Sequence, residues 1–207
     1  TDKVNTSVVT IRSRSHNEEV VDKLQYYVNY KRDGKYQLVD AYKQTPFFVE
    51  VDTAKRQLLG QQFKIVFKDS VNFVLSTVFE NDGNRTFQRY NETKEKKRDF
   101  VPAQTLQENY KIGQAIASPY FNGTILPNRD VPVIPNKPYY ILFSNFDSAV
   151  KAYSSIAVNP VGQGSSVLNL SMVGKNKARI VDYLNGSVQV LSENMLERKN
   201  LFATKTI

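Results

Sequence analysis

The sequence predicts an α+β chain: an α/β module formed by both termini, residues 1–45 and 145–207, with an inserted antiparallel β-sandwich of jelly-roll-like character over residues 46–144. Three observations predict it. Apolar residues recur at three- and four-residue steps near both ends, as a helix face requires. Between Pro46 and Ser144 the period falls to two, in short runs rich in Phe, Tyr, Val and Ile. Five of the eight prolines lie between Pro119 and Pro138, which suits loops and sheet edges.

The first stretch, to about Gln44, reads as mainly helical. Val4, Val8 and Ile11 share a face, and a second helix follows, with Ser15 and Glu18 as a capping box. Val20, Val21, Leu24 and Val28 give it an apolar stripe, and Lys31, Arg32, Asp33 and Gly34 read as the turn that ends it. In the middle stretch the strand-like runs are residues 47–52, 63–68, 72–80, 85–92, 110–117, 120–126 and 139–145. Turn signals at Asn81-Asp82-Gly83 and Pro135-Asn136-Lys137-Pro138 separate some of them. Lys94 to Arg98 reads as a solvated loop.

After Asn145 a short helix over residues 146–153 is expected, with Asp147 a candidate N-cap. A strand over residues 165–173 follows the glycine-rich connector Gly162-Gln163-Gly164. The final helix is the most regular element. From Lys175 onward, Val181, Leu184, Val188, Leu191 and Met195 step by three, four, three and four, a heptad seam. Two readings of this seam stand open: packing between protomers, or one amphipathic helix packed on a sheet.

The chain has no cysteine, which excludes disulfides and sulfur-built zinc sites. Its single histidine, His16, excludes a histidine-rich metal site and is expected to sit exposed at a helix start. No GxxxxGK[ST] loop occurs, and Val161 to Ser166 lacks the lysine such a loop needs. Glu50, Asp52, Glu80 and Asp82 are the carboxylates considered for glycoside hydrolysis, and alternation puts them on solvent faces or in turns. No catalytic, cofactor-binding or metal-binding residue is therefore assigned, and the chain is expected not to be an enzyme. The twelve Tyr and twelve Phe fit core packing better than a sugar platform. A net charge of +8 could draw anionic polymers, but basic residues interleaved with stacking aromatics are missing, so nucleic acid is not an expected partner. Six Asn-x-Ser/Thr sequons, at Asn5, Asn84, Asn91, Asn122, Asn169 and Asn185, are read as incidental.

Two blocks carry a family resemblance. Residues 4–24, containing Ile11, Arg12, Ser13, Arg14 and Ser15 and later Leu24, resemble the start of the periplasmic region of bacterial polysaccharide chain-length determinants, the polysaccharide co-polymerases. Residues 165–200 resemble that family's strand and following helix, with Leu184-Asn185 and the run into Glu197, Lys199 and Asn200. Residues 42–52 resemble forms with a β-rich insert, whose parents often carry a cytoplasmic tyrosine-kinase domain. The resemblance implies the periplasmic domain of an inner-membrane protein that forms a homo-oligomeric ring. The ring would work with a polysaccharide polymerase and an outer-membrane export protein to set the chain length of capsular or exopolysaccharide. It also implies that the chain is an excised piece whose membrane anchors lie outside it, with the last helix continuing beyond Ile207. No run of roughly 18 apolar residues is present. The alternative expectation is a carbohydrate-binding β-sandwich of a secreted or cell-envelope protein, with polysaccharide as the partner. An extracellular hydrolase is a third.

Overall fold

The computed structural model describes residues 2–162 and 165–204, so Gln163 and Gly164 of the expected connector, and the chain end at Ile207, lie outside the described residues. The chain divides into two compact units: Tyr27–Phe146, and Thr1–Tyr26 together with Asp147–Ile207.

The Tyr27–Phe146 unit is built on a six-stranded antiparallel sheet. Its order is β2 (Leu38–Asp40), β1 (Val28–Asp33), β12 (Pro138–Phe143), β5 (Phe63–Phe67), β6 (Asn72–Phe79) and β9 (Gln104–Lys111). A three-stranded sheet runs β10 (Ala115–Ala117), β11 (Asn122–Pro127), β3 (Phe47–Val51). A second runs β4 (Gln57–Leu58), β7 (Gly83–Gln88), β8 (Lys96–Val101). Alternation decides which residues go inward. Phe63, Ile65 and Phe67 of β5, Phe73, Leu75 and Phe79 of β6, and Tyr139, Ile141 and Phe143 of β12 are buried on one side of the large sheet. There they meet Phe47 of β3, whose ring lies 5.7 Å from Phe67 and 5.9 Å from Tyr139. Phe121, just before β11, lies 5.4 Å from Phe63 and 5.1 Å from Phe143. Tilted and edge-on aromatic pairs of this kind are favourable beyond the area they bury.

Two close contacts tighten this core. Tyr27 and Tyr90 stack with ring centroids 3.7 Å apart, and the Tyr90 hydroxyl donates to the Ser144 carbonyl at 2.6 Å. At Gly123 a Cβ would stand 2.5 Å from the Glu50 carbonyl oxygen, so only glycine lets β11 lie this close to β3.

The other unit comprises α1 (Asp2–Arg12), α2 (Arg14–Leu24), most of α3 (Phe146–Tyr153), a ribbon of β13 (Ala157–Pro160) and β14 (Leu168–Ser171), and α4 (Lys177–Thr204). α2 starts at an N-cap Ser13, whose side chain accepts from the His16 amide, and stops at Gln25, which is left-handed (φ 49°). Ile11 of α1 packs with Ile156 and Val158, and half-buried Val8, Leu168, Leu170, Leu184 and Leu191 close over them.

The structure corrects the expected fold class. The chain is mostly β, with fourteen strands and four helices among the described residues, and the termini form no α/β module. Among the described residues, the strands of these segments are all antiparallel: β1 and β2 join the six-stranded sheet of the middle, and β13 and β14 make a two-stranded ribbon, whereas an α/β unit needs parallel strands joined through helices. The middle keeps antiparallel sheets packed face to face, but in unequal six- and three-stranded layers, not the paired four-stranded sheets of a jelly roll.

Local corrections follow the same logic. The first 44 residues are helical only to Leu24, because Val28–Asp33 pairs with β12 and β2; Lys31, Arg32 and Asp33 are strand, and the bend lies after them. The cap of α2 is Ser13, not Ser15. Asp147 sits in the first turn of α3, one residue inside its start. Of the loop expected over Lys94 to Arg98, Lys96, Lys97 and Arg98 belong to strand β8, an edge strand with few buried residues.

Candidate functional site

The residues considered for catalysis do not converge. Asp52 accepts from the Ala54 amide at 3.2 Å and pairs with Lys55 at 3.7 Å, while Asp82 accepts from the Ala103 amide at 2.6 Å. Both hold turns. Glu50 and Glu80 are exposed. No group of three or more metal-ligating side chains occurs among the described residues. A cleft of about 290 Å³, counting its open mouth, is lined by Phe63, Leu75, Thr77, Leu106, Glu108 and Tyr120. Its one carboxylate, Glu108, accepts from the Tyr110 hydroxyl; burial and this bond push the Tyr110 pKa up to about 12. A lone carboxylate tied to a neighbour gives no acid–base pair for glycoside chemistry.

His16 is not exposed, as its place at a helix start suggested, but 98% covered: its relative exposure is 2%. It lies where α2 crosses α4, and its Nε2 is 2.8 Å from the Ser187 hydroxyl. The Nδ1 atom is buried without a hydrogen-bond partner among the described residues. Beside it, Asn17 donates to the Ile11 and Ser13 carbonyls at 3.0 and 2.7 Å and accepts from the Tyr183 hydroxyl at 2.5 Å. Burial lowers the His16 pKa, with Glu19 opposing weakly; burial raises that of Tyr183. The neutral imidazole is thus the form this crossing accommodates. Gly186 allows it, since a Cβ there would stand 3.1 Å from Leu24 Cδ1 and 3.5 Å from Val20 Cγ1.

This crossing determines where the five seam residues of α4 lie. The buried face is Tyr183, Gly186, Ser187 and Val190, and the seam is rotated from it by about a third of a turn. Leu184 and Leu191 are half-buried against the Ile11 cluster. Val181, Val188 and Met195 are exposed by 44%, 52% and 43%. The seam therefore splits: its two leucines serve the unit's own core, and the other three form a seven-residue-spaced apolar stripe facing solvent. Polar contacts flank the crossing, with Lys23 bonded to Glu193 at 2.8 Å and Asn194 donating to Glu19 at 2.8 Å.

In the N-terminal motif, Ile11 is core and the Arg12 guanidinium donates to the Val158 carbonyl at 2.8 Å. Ser13 caps α2, Arg14 pairs with Glu18 and Asp147 at 2.6 and 2.7 Å, and Ser15 is exposed beside Ser13. These residues fasten elements of one unit together. Of the sequons, Asn122 is buried and donates to the Arg56 carbonyl, while Asn185 lies exposed on α4 instead of in its packed face.

No helix among the described residues is long and apolar enough to cross a membrane. No protein-family model matches this chain, and no curated protein matches it.

Proposed function

We propose that this chain is a non-catalytic assembly module: the periplasmic domain of an inner-membrane polysaccharide co-polymerase that multiplies into a ring and regulates the chain length and export of capsular or exopolysaccharide. The observation that carries the reading is the exposed stripe Val181, Val188 and Met195 on a 28-residue helix. An apolar row at seven-residue steps that its own unit leaves uncovered suits packing against another helix. The motif order supports it too. The two blocks that resemble the family, residues 4–24 and 165–200, fold into one compact unit although a second unit lies between them in sequence.

The test is genetic and biochemical together. Val188→Asp with Met195→Asp, made in the full-length protein in its own bacterium, is expected to leave the protein abundant in the envelope. Native electrophoresis of detergent extracts should show loss of the oligomer, and gels of surface polysaccharide should show an altered length distribution. An unchanged length distribution in a strain lacking the whole gene would rule the reading out.

A further inference from the structure

The face of the six-stranded sheet opposite the aromatic core carries an ordered row of chemistry. Register pairing sets Lys31 against Tyr140, Tyr140 against Lys64, Lys64 against Ser76, and Ser76 against Gln107. Each is one strand further across the sheet, so the row crosses five strands at a spacing of about 4.8 Å. Beside the row in β1, β12, β5 and β6, Tyr30, Tyr139, Ile141, Phe63, Ile65, Leu75 and Thr77 are buried, so the row points the other way. Lys64 and Gln107 are exposed; Lys31, Tyr140 and Ser76 are half-buried. One register row further on, Val66 and Val74 lead to Asn109, which accepts from Lys68 at 2.9 Å, and Lys111 stands opposite Asn72.

The chemistry is asymmetric. Four lysines, Lys31, Lys64, Lys68 and Lys111, share this face; its carboxylates lie beside Lys31 alone, Asp40 directly opposite it in β2 and Asp33 two residues along β1, so Lys64, Lys68 and Lys111 carry the uncompensated charge. Neither Lys31 nor Lys64 makes an ion pair among the described residues. Burial, and then the neighbouring Asp33, raises the Tyr140 pKa.

We infer that this row binds an anionic linear polysaccharide, laid across the strands. Lys31 and Lys64 would meet carboxylates on the polymer, the Tyr140 ring would stack on the apolar face of the sugar between them, and Ser76 and Gln107 would bond hydroxyls. A sugar ring is about as long as one strand spacing of about 4.8 Å, so successive units fall over successive side chains. Single-stranded nucleic acid fits less well, because it wants several stacking platforms and this row offers one aromatic. The inference uses only residues of the Tyr27–Phe146 unit. It stands apart from the assembly reading, which rests on α4.

The test is titration calorimetry of the 207-residue protein with oligogalacturonate, with dextran oligosaccharides and a thymidine oligonucleotide as comparators. Oligogalacturonate should bind, more weakly as salt rises, and dextran should not. Lys64→Gln and Lys31→Gln should each weaken binding about tenfold, the scale of a charge-assisted hydrogen bond. Tyr140→Thr, which keeps a strand-favouring residue, should weaken it further, and circular dichroism should show all three variants folded. No binding of oligogalacturonate at millimolar saccharide would overturn the inference, as would binding untouched by Lys64→Gln and Tyr140→Thr. Equal affinity for the oligonucleotide, lost in the same variants, would replace a glycan site by a general polyanion surface.

Discussion

The two units solve the problem of a stable interior in opposite ways. The Tyr27–Phe146 unit fills its core with rings: Phe47, Phe67, Phe73, Phe79, Phe87, Phe121 and Phe143 are all essentially inaccessible. The other unit brings α2 and α4 together through a glycine, a serine, an asparagine, a tyrosine and the only histidine of the chain. The first depends on volume and shape, which are indifferent to pH and salt. The second depends on close approach and on hydrogen bonds between buried polar and titratable groups, which are sensitive to both. A core of rings should fail when a ring is removed, and a polar crossing should fail when something is added.

The largest expected effect lies in the ring core. Phe67 touches Phe47 and Phe73 at 5.7 and 5.5 Å and has no exposed surface. Phe67→Ala should cost about 3–5 kcal/mol through lost transfer energy and a cavity that the rigid sheets cannot close. Hydrogen exchange read by mass spectrometry should show the loss in strands β5, β6 and β12. Equal loss of protection in α2 and α4 would mean that the units do not differ as argued.

The next effect is the converse. Gly186→Val should destabilise the α2–α4 crossing by about 1–3 kcal/mol, because its side chain must enter space held by Leu24 and Val20. Gly186→Ala is the finer test. The helix gains about 1 kcal/mol from the better propensity of alanine, set against a 3.1 Å contact with the flexible end of Leu24. The two should nearly cancel in a urea titration, and marked stabilisation would show the crossing looser than drawn.

The sheets were legible where alternation was clean. β3, β5 and β6 show it in the sequence because one side of each faces the ring core. β8 was not legible, since an edge strand with solvent on most of its residues has no reason to alternate. β1 was hidden by its own charges: Lys31, Arg32 and Asp33 look like a turn, yet they are the rim of a sheet whose outer face is polar. α4 misled in an instructive way. Val181, Leu184, Val188, Leu191 and Met195 mark the half-exposed side, while the buried side joins Val190 to Tyr183, Gly186 and Ser187, a face that no hydrophobic count would choose. Small residues let two helices approach, and their burial becomes visible only once the partner helix is known.

A smaller effect sharpens the contrast by pH. The folded pKa of His16 lies below the ordinary 6.5, chiefly through burial. As pH falls through 6.5, the unfolded chain takes up a proton that the folded chain resists, so stability falls toward acid. Because the chain has one histidine, the dependence between about pH 5.5 and 7 reports that residue. Urea midpoints should drop over this window in the native protein and stay flat in His16→Gln. Hydrogen exchange should place the acid-induced opening in α2 and α4 and leave the ring core protected. A slope that survives His16→Gln would assign the pH response to the carboxylates and remove this difference between the units.

The smallest effect on stability carries the most information about the exposed stripe. Val188 is 52% exposed, so Val188→Asp should change the unfolding free energy by no more than about 0.5 kcal/mol. Leu191→Asp, by contrast, puts a charge against the Ile11 cluster and should unfold the unit that contains it. The two variants are one turn apart on the same heptad pattern, yet only the second should alter the circular dichroism of this chain. If Val188→Asp also unfolds it, the stripe belongs to the core and cannot serve a second copy. If it folds normally but breaks the oligomer of the full-length protein, the same helix is shown to have two separate uses: its small residues build the unit, and its aliphatic stripe joins units together.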